Sequence, residues 1–366
     1  HVGVVEGRAW ANAAQQLIRD GSPDAHRAAL DRADVLLNDL RVVEFALLSD
    51  VLPVGFDQRM REFAQRLTRH VQSPSDEALT VVEEAANRVL THILAGVQLQ
   101  RADRVEMARR MARWLARPPS AATSVADLVC WQADEGSFVD WARFRLLGGD
   151  ELVEVSESYE AVRSSVIAKR NLLGQRFAQS LQRWNTQVPK PEGRIVPLES
   201  VLDQVVAPLA AHQPVLLLVV DGLSTSIFRE LFAKPERLGW AEVVPSATIR
   251  PLCGVAVFPT VTEVSRASLL CGKLTTGTSV LEKSGFATHT ALLARSRADA
   301  PPKLFHKGDL SDSTNLSNEV RSAIANPHQR IIGLVYNAVD DHLSGPDQLN
   351  QRWNLEDLRL ILPILR

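Results

Sequence analysis

One carboxylate in this sequence stands where metal chemistry often occurs. The apolar run Val215–Val220 is rich in β-branched residues and passes directly into Asp221 and Gly222. Such a run is typical of a buried parallel strand, and a carboxylate at its tip is well placed to ligate a divalent ion. Asp is also a preferred helix cap, so a purely capping role for Asp221 is the alternative.

The second candidate is a hydroxyl ahead of a predicted helix at about 263–270, in the segment F-P-T-V-T-E-V-S-R-A-S-L-L-C-G (258–272). A hydroxyl at a helix N-terminus faces free backbone N–H groups, which favour a phosphoryl group there. Forming an alkoxide near neutral pH needs a metal or a base, and an ion on Asp221 would supply it. Thr260 and Glu263 also match a capping box, which would hold Thr262 in the first turn with its hydroxyl available.

The third candidate is a group of acids and a histidine after a second apolar run. Arg330–Tyr336 reads as another buried strand, and Asp340, Asp341 and His342 follow it. They are candidate ligands for a second metal, with solvated turn acids as the alternative. His306 is a weaker candidate, for which a structural role is the alternative. Glycines form neither a P-loop nor G-x-G-x-x-G, so nucleotide binding by those motifs is not supported.

The elements that must position these residues fall into two halves. Strands alternate with helices in the second half, which predicts an open α/β sheet with ligands beyond the carboxyl ends of its strands. The first half is predicted to be helical throughout, and a cluster of prolines and polar residues at 187–193 marks a break. We therefore predict a helical region over 1–186 and an α/β domain over 187–366.

Individual helix ends in the first half carry local signals. Ser73, Pro74 and Asp76 predict a capped helix start, followed by a buried stripe that continues to Val97. Further helices are predicted over 104–115, over 141–147 and over 159–184. Gly148 and Gly149 predict a left-handed end to the helix that precedes them.

Composition bounds the class of protein. The chain has 366 residues, 45% hydrophobic and 23% charged, which excludes disordered, collagen-like and disulfide-scaffold classes. The net charge of -2 argues against a general nucleic-acid coat. Six arginines in 101–117 form the best local candidate for DNA contacts, with a solvated face or interhelical ion pairs as the alternative. Three scattered cysteines fit a reducing, cytoplasmic compartment, and no apolar run approaches a membrane span.

Three motifs taken together resemble one known family. V-V-D-G-L-S (219–224), F-P-T-V-T-E-V-S-R-A-S-L-L-C-G-K-L (258–274) and V-Y-N-A-V-D-D-H (335–342) are similar to the PglZ family of BREX and phage growth limitation systems, within the alkaline phosphatase superfamily. The resemblance covers about Pro197 to the end. It implies an α + α/β fold, in which an N-terminal helical domain precedes the first part of an alkaline-phosphatase-like α/β domain.

The resemblance also implies a site. Two divalent ions, zinc with manganese or magnesium as alternatives, would flank Thr262. Thr262 would be the nucleophile, and the reaction would pass through a phosphothreonine intermediate. Asp221 and Thr262 would ligate one metal, and Asp340 would ligate the second. His342, two residues after Asp340, is a further candidate ligand of the second metal from its residue type alone. Arg266, one turn into the helix, would neutralise phosphate charge.

Two departures from the family pattern bear on activity. Ser344 stands where related phosphodiesterases have a ligand histidine, and the chain stops at Arg366, before the family's Asp-His-Gly segment. The chain, which begins without a methionine, is therefore expected to be a fragment that is inactive or weakly active alone.

The implied function is that of a bacterial phage-defence protein with phosphatase or phosphodiesterase activity, acting on nucleic acid or a nucleotide. Other BREX or Pgl proteins are the expected partners. A non-catalytic scaffold that assembles the defence complex is the alternative. An ordinary small-molecule phosphatase is a third, weaker reading.

Overall fold

The computed structural model describes residues 3–21, 26–184, 193–312, 315–337 and 364. Over these residues the protein is mostly helical and carries a small parallel sheet, so the mixed helical and α/β class is confirmed. The chain forms two compact units, His1–Ala121 with Phe138–Arg176, and Ala122–Ser137 with Phe177–Arg366. The break predicted at 187–193 lies outside the described residues except for Gly193.

The helices of the described residues are, in chain order, α1 (Val4–Asp20), α2 (Arg27–Asp39), α3 (Pro53–Gln72), α4 (Asp76–Leu90), α5 (Leu99–Ala116), α6 (Val125–Trp131), α7 (Ser137–Arg145), α8 (Val153–Trp184), α9 (Ala207–Ala210), α10 (Thr225–Leu231), α11 (Thr262–Cys271), α12 (Ser279–Thr288), α13 (Thr290–Leu293), α14 (Lys307–Leu310) and α15 (Asn318–Ala325). Short 3-10 or π turns lie at Val43–Leu48, Ile93–Gly96, Gln132–Gly136, Leu198–Ser200, Leu202–Val206 and Pro235–Leu238. The strands are β1 (Ile195–Pro197), β2 (Val215–Val220), β3 (Cys253–Val255), β4 (Lys303–Phe305), β5 (Ser311–Asp312), β6 (Asn315–Leu316) and β7 (Ile331–Tyr336).

The core of the first unit is built on one face of α3. Phe56, Met60, Phe63 and Leu67 recur at spacings of four, three and four residues, and all four are fully buried. This spacing places them in one stripe, which packs against α4 and α5. The burial of this stripe stabilises the bundle.

Four arginines of α5 form ion pairs with carboxylates. Arg101 pairs with Asp150 and Asp57, and three further arginines of the helix pair with glutamates. Those three are Arg109, Arg110 and Arg113, whose partners are Glu83 and Glu106. All these residues belong to the first unit. This arrangement matches the ion-pair alternative for the arginine segment.

The predicted start of α4 was wrong in its cap. Ser73 ends α3, and its backbone N–H donates to the Arg69 carbonyl. Ser75 is the cap, and its side chain accepts a hydrogen bond from the Ala78 N–H at 3.1 Å. Ser75 satisfies the free N–H groups of the first turn, so the helix begins at Asp76.

The predicted helix ends had mixed outcomes. The stripe predicted to continue to Val97 was wrong, because α4 ends at Leu90 and Val97 is 56% exposed. Gly148 and Gly149 do adopt left-handed φ values of 89° and 61°, as predicted. Helix α8 covers the predicted 159–184 and begins six residues earlier, at Val153.

The main sheet of the second unit has the order β2-β7-β4, and all its strands are parallel. The two strands predicted from apolar runs are therefore confirmed as parallel strands of one sheet, in which they are neighbours. Strand β7 is central and fully buried, but β2 is only half-buried, which corrects the prediction that it is buried on both faces. The reason is position, since β2 lies at the edge of the described sheet.

Helices cover both faces of this sheet. Along β7, Leu334 packs into one cluster with Phe305 and Val320, whereas Val335 packs into another with Leu270 and Phe286. This alternation follows from the two-residue period of a strand. The carboxyl ends of β2 and β7 then meet at one edge of the sheet.

Candidate functional site

Asp221 lies at the carboxyl end of β2, as the sequence predicts. Val220 and Tyr336 are register partners, and the Asp221 N–H donates to the Tyr336 carbonyl at 3.0 Å. The chain then turns at Gly222, whose φ of 76° is left-handed. The cap of the following helix α10 is Ser224, which accepts from the Ile227 N–H. The alternative that Asp221 serves as that cap is therefore excluded.

Thr262 is the first residue of α11. The cap position belongs to Val261, which makes no side-chain cap bond, so the predicted capping box with Thr260 was wrong. The helix begins one residue too late for Thr260 to reach its first N–H groups. Thr262 nevertheless stands in the first turn, close to the positive end of the helix dipole.

The structure brings Thr262 and Asp221 together, although 41 residues separate them in the chain. The Thr262 hydroxyl Oγ1 lies 3.4 Å from Asp221 Oδ2. This distance is long for a hydrogen bond between oxygens. It equals the separation of about 3.4 Å expected for two oxygen ligands on one tetrahedral ion with bonds of about 2.1 Å.

Arg266 lies between two carboxylates. Its Nη1 donates to Asp221 Oδ2 at 3.0 Å, and its Nε donates to Glu282 Oε1 at 3.1 Å. The Arg266 side chain is 12% exposed and that of Glu282 is 0% exposed. The guanidinium therefore links the end of β2 to α12.

Glu282 was not predicted from the sequence. It lies on the same face of α12 as the fully buried Phe286, four residues further on. An acid on the apolar face of a short helix was the available signal. Its partner Arg266 belongs to another helix, and no local spacing connects the two residues.

The second oxygen of Glu282 faces His306. The Oε2 and Nε2 atoms lie 3.2 Å apart, yet neither has an aligned hydrogen-bond partner among the described residues. Burial raises the pKa of Glu282, against the opposing effect of Arg266. Burial, followed by the charges of Arg266 and Lys283, lowers the pKa of His306 to about 4. His306 is therefore neutral at pH 7, in keeping with its structural alternative.

The described residues supply only part of the predicted metal site. The described residues contain no group of three or more His, Cys, Asp or Glu side chains that could hold an ion. Asp340 and His342 lie outside the described residues, which in this segment end at Asn337. Asp221 and Thr262 fit one edge of an ion's ligand shell in spacing and in donor chemistry.

In the part of the chain that the structure describes, no helix is long and apolar enough to cross a membrane. No protein-family model matches this chain, and no curated protein matches it either.

Proposed function

We propose that the protein is a metal-dependent phosphoric ester hydrolase with Thr262 as its nucleophile, on an alkaline-phosphatase-like α/β domain. The observation that carries the proposal is the 3.4 Å approach of Thr262 Oγ1 to Asp221 Oδ2 at the carboxyl end of the sheet. Active sites of open parallel sheets lie at this edge. The resemblance of three motifs to PglZ supports the phosphoester class and the defence role.

Each residue has a defined task in this proposal. Asp221 holds the Thr262 hydroxyl in place and is a ligand of the divalent ion. A divalent ion supplies Lewis acidity when bound, which lowers the pKa of a coordinated hydroxyl. Arg266 places positive charge one turn from Thr262, where the phosphate charge increases. The dipole of α11 adds to the same field.

The remaining parts of the proposal lie further along the chain. Asp340 and His342 are the proposed ligands of a second ion, and they follow β7, whose last residue hydrogen-bonds to Asp221. We propose zinc for both ions, with manganese or magnesium as alternatives. The proposed substrate is a phosphodiester of nucleic acid or a nucleotide, and the proposed partners are other BREX or Pgl proteins in the cytoplasm.

The first test measures metal content and hydrolysis of an aryl phosphodiester. It compares the 366-residue chain with a version extended through the Asp-His-Gly segment that the resemblance implies. In the extended protein, Thr262→Ala is expected to lower kcat by about 10³-fold or more, because the nucleophile is lost. Metal binding should persist in this variant. Thr260→Ala is the matched control from the same loop and should leave kcat unchanged, since Thr260 is exposed and does not cap the helix.

The proposal fails if the extended protein binds no metal and hydrolyses no phosphoester. It also fails if Thr262→Ala retains the full rate. In either case the non-catalytic scaffold becomes the better explanation. Phage defence that survives Thr262→Ala, with the complex still assembled, would support that scaffold directly.

A further inference from the structure

We infer that Glu282 is a positioning residue that holds Arg266 beside Thr262 and Asp221. The contacts of Arg266 within the structure carry this inference, and its consequence for catalysis rests on the proposed function. The guanidinium donates to both carboxylates at once, through Nε on one side and Nη1 on the other. A planar group held at two points has a fixed orientation.

The two carboxylates differ in their access to solvent. Glu282 is 0% exposed and Asp221 is 22% exposed. The buried partner cannot exchange its hydrogen bond for one to water, whereas the more exposed partner can be taken by a ligand. Glu282 is therefore the permanent anchor of Arg266, and Asp221 is the exchangeable partner.

Packing fixes the direction of the Glu282 carboxylate. Its Oε2 faces His306 Nε2, so Oε1 is the oxygen turned towards Arg266. Helix α12 is pressed against α11 at Gly285, where an added Cβ would lie 3.2 Å from the Cα of Cys271. These contacts set the distance between the Glu282 backbone and Arg266.

This arrangement has a consequence for the site. If a divalent ion binds Asp221 Oδ2, Arg266 loses one partner but keeps its Nε bond to Glu282. The Nη atoms then stay near Thr262 and become available to the oxygens of a phosphoester. Without Glu282, the freed arginine would move away from Thr262.

The first experiment reads the position of Arg266 without any activity. In the NMR spectrum, the Arg266 Nε–H should exchange slowly with water, and Glu282→Gln should accelerate that exchange by about tenfold or more, because an acceptor carboxylate is replaced by the weaker acceptor of a neutral amide. Gln keeps the shape of Glu, which preserves the packing. The matched control is Glu242→Gln, which removes the carboxylate of an exposed pair with Arg229. Unchanged exchange in Glu282→Gln would overturn the inference.

The second experiment connects the anchor to the reaction through a mutant cycle in the extended protein. Glu282→Gln is expected to lower kcat/KM by about tenfold in the wild-type background. It should have no further effect in an Arg266→Met background, because Glu282 acts through Arg266. Equal effects in both backgrounds would show a merely structural role and overturn the inference.

The two experiments separate the anchor from the proposed reaction. If the extended protein has no activity, the proposed function fails, and the exchange measurement still decides whether Glu282 holds Arg266. A variant that does not fold would be replaced by Arg266→Lys. Lysine keeps the charge but lacks the planar guanidinium that two carboxylates hold in a fixed orientation, so it should lower kcat/KM as Glu282→Gln does, whereas an unchanged value would count against the anchor.

Discussion

Individual buried charges in this protein depend strongly on their partners. Arg101 is buried and donates two hydrogen bonds to Asp150, whose side chain is 0% exposed. Arg101→Met would leave the Asp150 carboxylate buried and unpaired, so we expect a loss of about 3–5 kcal/mol in the free energy of unfolding. Urea titration of the purified chain measures this change.

Arg110→Met is the matched control on the same helix. Arg110 pairs with Glu106 at 2.7 Å, but its side chain is 43% exposed, against 10% for Arg101. An exposed pair of this kind contributes about 0–1 kcal/mol, so the control should unfold nearly as the wild type does. Equal losses of the free energy of unfolding in the two variants would show that burial does not determine how much these ion pairs contribute to stability. A separate measurement of DNA binding tests the other interpretation of α5. Loss of DNA binding in Arg110→Met alone would support a role of these arginines in nucleic-acid contacts.

The same contrast explains which site residues could be predicted from the sequence. Asp221 and Thr262 each follow a local pattern, a strand end and a helix start, so their types and places could be predicted. Glu282 could not be assigned, because its importance comes from a pairing with Arg266 across 16 residues. Pairings between elements depend on how α11 and α12 pack, which no short motif encodes.

At the scale of elements, strand positions were easier to predict than helix ends. The β2 range Val215–Val220 was predicted residue for residue, because six apolar residues end at a charge. The cap of α4 was missed because Ser73 and Ser75 both have suitable side chains. Competition with the end of α3 decided between them, since Ser73 already closes that helix. Such competition is set by neighbouring elements.

The contact between α11 and α12 gives a prediction at this scale. Alanine normally stabilises a helix relative to glycine by about 0.5–1 kcal/mol. At Gly285, however, the new Cβ would lie 2.5 Å from Cys271 Sγ and 3.1 Å from its Cβ. We expect Gly285→Ala to lower the free energy of unfolding by about 1–3 kcal/mol, because α12 must move away from α11.

Gly174→Ala supplies the comparison of opposite sign. Gly174 lies in α8 and an added Cβ there would meet nothing within 4 Å. The free energy of unfolding of this variant should therefore be higher than that of the wild type by about 0.5–1 kcal/mol. Thermal unfolding of both variants beside the wild type tests the pair. A stabilised Gly285→Ala would mean that the two helices are less closely packed than the structure has them.

At the scale of the whole molecule, each unit contains a histidine whose pKa is lowered, so that its ring is neutral at pH 7. In the first unit, His92 is 2% exposed, and burial followed by the charge of Arg59 lowers its pKa to about 4. Its Nε2 donates to the Leu52 carbonyl at 3.1 Å and its Nδ1 accepts from the Leu94 N–H at 3.2 Å. A protonated Nδ1 cannot accept that bond, so charging the ring breaks the contact. In the second unit, His306 has a pKa lowered to the same value of about 4.

These histidines determine the direction of the pH dependence. Between about pH 6.5 and 4, each histidine binds a proton in the unfolded chain but not in the folded chain. The contribution of each neutral histidine to the free energy of unfolding is therefore fully present above pH 6.5 and decreases as the pH falls towards 4. For His92 the loss is on the order of 3 kcal/mol, from about 1.4 kcal/mol per pKa unit.

His92→Asn keeps an acceptor for the Leu94 N–H and removes the titrating ring. We expect this variant to be less stable at pH 7.5, because the bond to Leu52 is lost, and to show a smaller decrease in stability between pH 6.5 and 4. Urea titrations at several pH values measure both effects. An unchanged pH dependence would mean that His92 is not held neutral in the fold, and that its Nδ1 does not accept a hydrogen bond from the Leu94 N–H.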